Sequence, residues 1–369
     1  MRIIKVCHFT SVHPRSDSRI FFKECKSLVD SGFDVSLVVA DGLEDETVDR
    51  IKIYNVRKGN SGRLTRMTLI VSKVYRKSIE LDADIYHFHD PELLIAAYFL
   101  KRKGKIVIYD VHEDVPQDIM IKTWLPFVMK KLISSLYTSL EKFVGKRLDY
   151  LITTTDFINN RFVKYQSNTT CIKNYSLPDD ILENTDWNNR SFELCYIGDI
   201  TKVRGILEMI NLIQGTNLKL NLAGLFENDK LFNTIKSLDG WRNVNYHGYV
   251  SREGVKKILR TTKIGLLILH PTQTHLYSLP IKLFEYMAAG LPIIASNFQT
   301  WKEIIEENEC GYCIDPFDQK MLREKIEFII NNPVNAKQMG RNGRKAIEEK
   351  FNWEVEAKKL VGIYNNLSK

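Results

Sequence analysis

Short apolar runs of strand length recur along this chain, each followed by a segment long enough for a helix. In the first half they are Ile3–Phe9, Val35–Ala40, Asp84–His87, Lys105–Tyr109, Tyr150–Thr153 and Thr170–Ile172. In the second half they are Glu193–Ile197, Lys219–Ala223, Val244–Gly248, Ile264–Leu269, Pro292–Ser296 and Gly311–Ile314. A parallel sheet covered by helices on both faces demands near-continuous apolar strands, because neither face meets water. The pattern predicts an α/β fold, and 369 residues are too many for one core of this kind. Two doubly wound, Rossmann-like domains are expected, residues 1–175 and 176–352. The polar stretch Ser176 to Ser191, with Pro178 and several Asn and Asp residues, marks the boundary. Residues 353–369 read as an amphipathic helix that is free to pack back on the first domain.

Charge narrows the partners. Residues 1–175 hold 28 Lys+Arg against 21 Asp+Glu, a net of +7, and the remainder holds 25 against 24, a net of +1. The excess therefore points to an anionic partner for the first half. No base-stacking module or recognition motif accompanies it, so nucleic acid is not expected. The longest apolar run, Leu93 to Leu100, is far too short to span a membrane. The opening MRIIKVCHF lacks an h-region and a cleavage site, and a cytoplasmic location is expected. Six scattered cysteines read as reduced thiols; Cys310 and Cys313 have redox-motif spacing but sit in a strand-like segment, and no zinc site is expected.

The most informative stretch is Ser278 to Ser296, SLPIKLFEYMAAGLPIIAS. Pro280 suits the first turn of a helix, Lys282 and Glu285 share one helical face, and Gly290 and Pro292 end the helix before a strand. Such a helix offers free N–H groups and a lysine to an anion, with a carboxylate about one turn deeper for ribose hydroxyls. A solvated Lys–Glu pair on an ordinary helix would share this spacing. Gly198-Asp199-Ile200-Thr201-Lys202-Val203-Arg204-Gly205 follows a strand and opens a helix, where ligands bind in open α/β sheets. It supplies glycines for close backbone approach and two cations for phosphate oxygens, without the GxGxxG of a dinucleotide dehydrogenase.

With these residues in view, the chain resembles the retaining glycosyltransferases of family 4, or group 1, whose two Rossmann-like domains face each other across a cleft (the GT-B fold). The Arg204-Gly205 loop and PxKxxEYMAAGxP resemble the donor-binding signatures. HPRSDSRIFFKE (His13 to Glu24), HFHDPE (His87 to Glu92) and YDVHED (Tyr109 to Asp114) resemble a subgroup common in bacterial polysaccharide synthesis. The resemblance implies transfer of a sugar from a nucleotide-diphosphate donor with retention, and no cofactor beyond that co-substrate. It implies donor binding by Gly198, Lys202, Arg204, Gly205, Ser278, Lys282 and Glu285, the last on the ribose. His112 would contact the donor sugar, and Glu113 would orient it or meet the acceptor. The family carries two glutamates separated by seven residues; Glu285 matches the second, and Tyr277 occupies the position of the first.

His89 and Asp90 are further candidates for the same site, with His8, His13 and the segment Ser16 to Arg19 placed near acceptor or diphosphate. Asp82-Ala-Asp84 matches a metal-binding Asp-x-Asp string but leads into a strand, so no metal is expected; Lys202, Arg204, Lys282 and a helix N-terminus would stabilise the leaving diphosphate instead. The basic residues Arg57, Lys58, Arg63, Arg66, Lys73, Arg76 and Lys77, and the mixed apolar and basic stretch from Trp124 with Lys130 and Lys131, suit an anionic membrane surface. They suit equally a glycan or polyprenyl-diphosphate-linked acceptor and a peripheral position on the inner face of the cytoplasmic membrane. A nucleotide-sugar epimerase and a non-catalytic nucleotide-sugar-binding subunit remain open as alternatives.

Overall fold

A computed structural model describes residues 2–56, 66–122, 125–177 and 187–369, with the side chains of Arg66, Met67 and Ile121 left out. Arg57, Lys58, Arg63, Trp124 and Pro178 lie outside the described residues. The chain forms two compact units, Met1–Asn174 with Glu354–Lys369, and Tyr175–Trp353.

The first unit is built on an eight-stranded sheet in the order β3-β4-β2-β1-β5-β6-β7-β8. Its strands are β1 (Lys5–Phe9), β2 (Asp34–Val39), β3 (Glu46–Val48), β4 (Ile51–Asn55), β5 (Ile85–Phe88), β6 (Ile106–Val111), β7 (Tyr150–Thr153) and β8 (Thr169–Cys171). All neighbours are parallel except β3 and β4. β3 and β4 correct the sequence reading, which placed no strand there. β4, IKIYN, alternates buried and exposed because it lies near the sheet's edge, and β3 is polar and mostly exposed. A search for continuous apolar runs passes over both. Val48 pairs with Ile51, leaving Asp49 and Arg50 as a two-residue loop with φ of 50° and 67°. Two successive positive φ values make a type I′ turn, whose twist matches a hairpin.

Helices α1 (Val71–Glu80), α2 (Leu94–Arg102), α3 (Val115–Ile121) and α4 (Phe127–Gly145) belong to the first unit, and the part of α7 (Trp353–Leu367) from Glu354 on completes it. One sheet face carries Phe9, Phe88 and Tyr109; the last two rings stack with centroids 4.4 Å apart and planes nearly parallel. The opposite face carries His8 and His87, which pair in register and meet Tyr364 of α7.

The second unit holds a fully parallel six-stranded sheet in the order β11-β10-β9-β12-β13-β14. The strands are β9 (Phe192–Ile197), β10 (Leu220–Ala223), β11 (Val244–Gly248), β12 (Thr262–Leu267), β13 (Ile293–Ser296) and β14 (Gly311–Ile314). Helix α5 (Ile206–Ile213) follows β9, and α6 (Ile281–Ala288) precedes β13. Two apolar clusters sandwich this sheet, one around Trp301, Tyr286 and Phe284 and one around Met209, Ile210 and Leu322. Tyr286 lies so close over Gly265 that any side chain there would overlap its ring. In both sheets the chain builds outward one way from a central strand and then the other, so strand order reverses between β1 and β5 and between β9 and β12. Ligands of open α/β sheets bind at such reversals, beyond the carboxyl ends of the strands.

Candidate active site

In the first unit the residues that leave β1, β5 and β6 converge at the reversal point. Asp90, just past β5, accepts hydrogen bonds from Thr10 Oγ1 at 2.8 Å and Ser11 Oγ at 3.0 Å, which ties the β1 and β5 loops together. His13 Nε2 lies 3.5 Å from Asp90 Oδ1, and its Nδ1 lies 3.1 Å from Asp17 Oδ2. Burial alone would lower the His13 pKa, but the hydrogen bond to Asp17 and the charges of Asp90, Asp17 and Asp110 outweigh it and raise it.

His112 follows β6 directly, and its Nε2 lies 2.7 Å from Asp110 Oδ2, which His89 Nδ1 also approaches at 3.2 Å. Burial would push the Asp110 carboxyl up, but the Arg19 guanidinium and then His112 hold it well below the usual carboxylate range. An ionised carboxylate only accepts, so both imidazoles donate to it. With Nε2 donating to Asp110, Nδ1 is the ring nitrogen of His112 left to accept a hydrogen bond.

Val12, His13, His89, Asp90, His112 and Glu113 line an open cavity of about 310 Å³, with Asp118 and Lys122 on its rim. That volume falls at the small end of ligand pockets, which span roughly 300–1,000 Å³. Four sequence-predicted candidates, His13, His89, Asp90 and Glu113, thus join His112 around one space. Arg19 does not, and here the sequence reading is corrected. Arg19 is 2% exposed, donates to both oxygens of Asp110 at 2.8 Å and to the Ile172 carbonyl at 3.0 Å, and lies 3.0 Å from Glu24. Its charge is spent inside the fold, where it sets the ionisation of Asp110.

Sequence reasoning missed Asp118. It stands on α3, and its pKa rises from 3.8 to about 7, through burial first and then the charge and hydrogen bond of Glu113. The signal was the close spacing of Glu113, Asp114 and Asp118 around the start of α3 at Val115. It also missed Asp110 and Glu24, because acids inside apolar runs (KIVIYDV and IFFKEC) read as strand and helix interior. Asp82 and Asp84 stand at the start of β5, the end away from His89. Asp82 pairs with Lys105, and Asp84 accepts from Arg2 and from the Lys5 N–H.

In the second unit, β9 runs into Gly198 with φ of 133°, then a tight turn over Lys202–Arg204, then Gly205 with φ of 75° at the start of α5. A Cβ at Gly205 would overlap the Ile268 carbonyl, and one at Gly198 would overlap Lys282 Nζ and approach Arg204 Nη1 to 3.8 Å. The glycines therefore let two cations crowd the end of β9. Lys282 Nζ donates to Tyr196 Oη at 3.1 Å and rides 4.3 Å above the Tyr196 ring. Lys282 is 9% exposed, and among the described residues no carboxylate lies within ion-pair distance of it.

Pro280 caps α6 from outside, so the helix begins one residue after the position expected for it. Ser278 sits just before that cap; its hydroxyl donates to the His275 carbonyl at 3.1 Å, and its own carbonyl accepts from Trp301 Nε1 at 2.8 Å. Glu285 is half-buried one turn into α6, and Tyr277 is exposed at the end of the short helix Gln273–Leu276. Arg204 meets Asp199 at 3.5 Å on the surface, and His270 meets Glu208 at 3.1 Å. Cys310 and Cys313 are free thiols raised to about 12 by burial, as a strand-like setting implies.

Among the described residues no helix is long and apolar enough to cross a membrane. Helix α4 is nevertheless unusual. Phe127, Val128, Met129, Leu132, Leu136 and Phe143 are all exposed, and its only buried residues are Glu141, Val144 and Gly145.

Two family models match the chain: Glycosyltransferase Family 4 over residues 19–174, and Glycosyl transferases group 1 over residues 179–346. The capsular polysaccharide biosynthesis glycosyltransferase CapM of Staphylococcus aureus is 27% identical over 186 residues, 49% of this chain and 48% of its own length. The D-rhamnosyltransferase WbpZ of Pseudomonas aeruginosa is 22% identical over 294 residues, 78% of this chain and 74% of its own. The structure of Anabaena HepE in complex with UDP and glucose superposes with a TM-score of 0.72 at 13% identity, covering 98% of this chain and 100% of that one. That likeness shows the GT-B fold, and the two family matches together span nearly the whole sequence: the chain belongs to the group 1, family 4 glycosyltransferases.

Proposed function

We propose that this enzyme moves a sugar from a nucleotide-diphosphate donor to a glycan or polyprenyl-diphosphate-linked acceptor, with retention, in the synthesis of a cell-surface polysaccharide. The observation that carries the donor assignment is Lys282, a nearly buried ammonium without a carboxylate partner among the described residues, set at the glycine-lined end of β9. A desolvated cation of this kind is costly unless an anion completes it. A diphosphate would take Lys282, Arg204, Lys202 and the N–H groups at the start of α6, with Glu285 one turn deeper for the ribose. These groups would stabilise the charge that grows on the diphosphate as the glycosidic bond breaks, without a metal ion there.

In the first unit, His112 would accept a hydrogen bond from the donor sugar through Nδ1, oriented by Asp110. Glu113 and the paired Asp118 offer a carboxyl close to neutrality for the acceptor hydroxyl. Retention follows when the acceptor oxygen attacks on the face from which the diphosphate departs, its proton passing to the departing phosphate oxygen. The capsular and rhamnosyl activities in the names of CapM and WbpZ support a polysaccharide product. The exposed apolar face of α4, with Lys130 and Lys131, supports a peripheral position on the anionic inner face of the cytoplasmic membrane.

The test is a thermal-shift screen against UDP, GDP, dTDP and CMP, followed by the matching sugar conjugates. One nucleoside diphosphate is expected to raise Tm clearly, since a ligand at 100 times its Kd adds about 2.7 kcal/mol. No shift with any of the four, in folded protein, would sink the donor assignment.

A further inference from the structure

We infer that the first unit holds a divalent first-row transition-metal ion, bound by His8, Glu24, His87 and His89 inside the fold. One ligand atom from each of the four lies within 4.8 Å of all the others, and all four residues are buried. His8 Nδ1 is 3.0 Å from His89 Nε2 and 3.9 Å from Glu24 Oε2. Zn–N bonds of about 2.0–2.1 Å place tetrahedral ligand atoms roughly 3.3 Å apart, so a small inward shift completes the geometry.

The surroundings argue for a cation more than the distances do. Each imidazole has its second nitrogen tied down: His8 Nε2 to Tyr364 Oη at 3.2 Å, His87 Nδ1 to the same oxygen at 2.7 Å, and His89 Nδ1 to Asp110 at 3.2 Å. Metal-ligating histidines are oriented in this way by an outer shell, and here α7 contributes to that shell through Tyr364. The nitrogens that remain to face the ion are His87 Nε2 and the pair His8 Nδ1 and His89 Nε2, which lie 3.0 Å from each other. His87 Nε2 has no hydrogen-bond partner, nor has either oxygen of Glu24, although Oε1 lies 3.0 Å from Arg19 Nε. Buried polar atoms without partners are rare, and His87 Nε2 and Glu24 Oε2, neither of them paired, need an explanation.

Two buried carboxyl groups, Asp110 and Glu24, also share the single charge of Arg19. A divalent ion would match the surplus carboxylate and give every orphaned lone pair a bond. Three imidazoles and one carboxylate suit zinc, iron, cobalt or nickel rather than magnesium or calcium. His89 also lines the open cavity, which gives the ion a way in. This ion is distinct from any metal at the diphosphate, and the inference does not depend on the donor assignment.

Metal content of the full-length protein, purified without chelator or metal-affinity resin and dialysed, tests the inference. It should retain close to one equivalent of a transition metal. After removal of that ion, Co²⁺ should bind one to one with the visible absorption of a four-coordinate site. His87→Gln should lose both signals while His112→Ala keeps them, with circular dichroism to confirm folding. If His87→Gln does not fold, the metal content and Co²⁺ spectrum of the wild type decide alone. Folded wild type that neither retains metal nor takes up Co²⁺ overturns the inference and leaves a protonated Glu24 in its place. Binding lost in His112→Ala but kept in His87→Gln overturns it as well, since the ion would then sit in the cavity.

Discussion

Asp110 Oδ2 lies 2.7 Å from Nε2 of His112, and the same carboxylate accepts two hydrogen bonds from the buried Arg19. One acid thus orients the imidazole that faces the cavity and balances a guanidinium that does not. Substitutions at His112 and Arg19 should separate these jobs. His112→Ala is expected to fold normally and lower kcat on the order of 10²-fold or more, with little change in nucleotide affinity, because the contact proposed for it is with the sugar and not with the nucleotide. Arg19→Gln removes the guanidinium that Asp110 and Glu24 share in the interior and should cost about 3–5 kcal/mol of stability. Steady-state kinetics and urea melts together check the division; equal stability losses in both variants would refute it.

Much of this was legible in the sequence for a physical reason. Twelve of the fourteen described strands overlap the runs read from the sequence, and residues that leave such runs, among them Gly198, His89 and His112, are delivered to the carboxyl ends where ligands gather. The hairpin β3–β4 was not legible because edge strands need only one buried face, and Asp49-Arg50 lacks the glycine or asparagine that signals its turn. Arg19 was misassigned because a basic residue amid SDS and near His13 looks exposed, and nothing local reveals that Asp110 waits 91 residues away. Asp118 acquires its character only from the tertiary neighbourhood of Glu113.

The Gly205 position leaves almost no latitude. Its φ of 75° costs an L-residue about 1–2 kcal/mol, and the Ile268 carbonyl occupies the space of a Cβ. Gly205→Ala is therefore expected to lower Tm by several degrees and to displace the Lys202–Arg204 turn. Nucleoside diphosphate affinity should fall with it, measurable by calorimetry under conditions where the variant is still folded. Unchanged affinity would detach this turn from the donor.

Lys282→Met keeps an aliphatic side chain of similar length and removes the ammonium, with its hydrogen bond to Tyr196 Oη and its place over the Tyr196 ring. Stability should hold or rise slightly, because a buried cation without a carboxylate partner among the described residues is unfavourable in the ligand-free protein. Affinity for the diphosphate should fall about 10–100-fold, the worth of one hydrogen-bonded ion contact of roughly 1.5–3 kcal/mol. Opposite signs for stability and binding would mark Lys282 as a ligand-binding group; a parallel loss of both would make it structural.

The acid pair in the cavity should make stability depend on pH. Asp118 has a folded pKa of about 7 against 3.8 for the free side chain, so the folded state holds its proton more tightly than the unfolded state. Stability must then fall as pH rises from about 4 to about 7 and level off above, the reverse of a salt-bridged aspartate. Asp118→Asn removes this slope, so its advantage over wild type should be absent at low pH and full above neutrality. Denaturant melts of the two proteins across that range give the comparison directly. A difference that stays flat with pH would show that Asp118 ionises normally.

Helix α4 offers water a face of Phe127, Val128, Met129, Leu132 and Leu136, beside Lys131, which packs over the Phe127 ring. Burying one such side chain is worth about 1.5–3 kcal/mol, and each lysine near an anionic surface adds about 1 kcal/mol. On the proposed peripheral reading, this face would hold the enzyme on a bilayer without a spanning helix. Flotation with vesicles containing an anionic phospholipid should carry wild type to the top of the gradient, less so at high salt, while neutral vesicles carry little. Leu132→Glu with Leu136→Glu should abolish flotation and leave Tm nearly unchanged, because neither side chain is part of the core. Activity on a short water-soluble acceptor should survive that double change, and activity on a membrane-embedded one should drop. Equal loss on both acceptors would move α4 from membrane attachment to the architecture of the first unit.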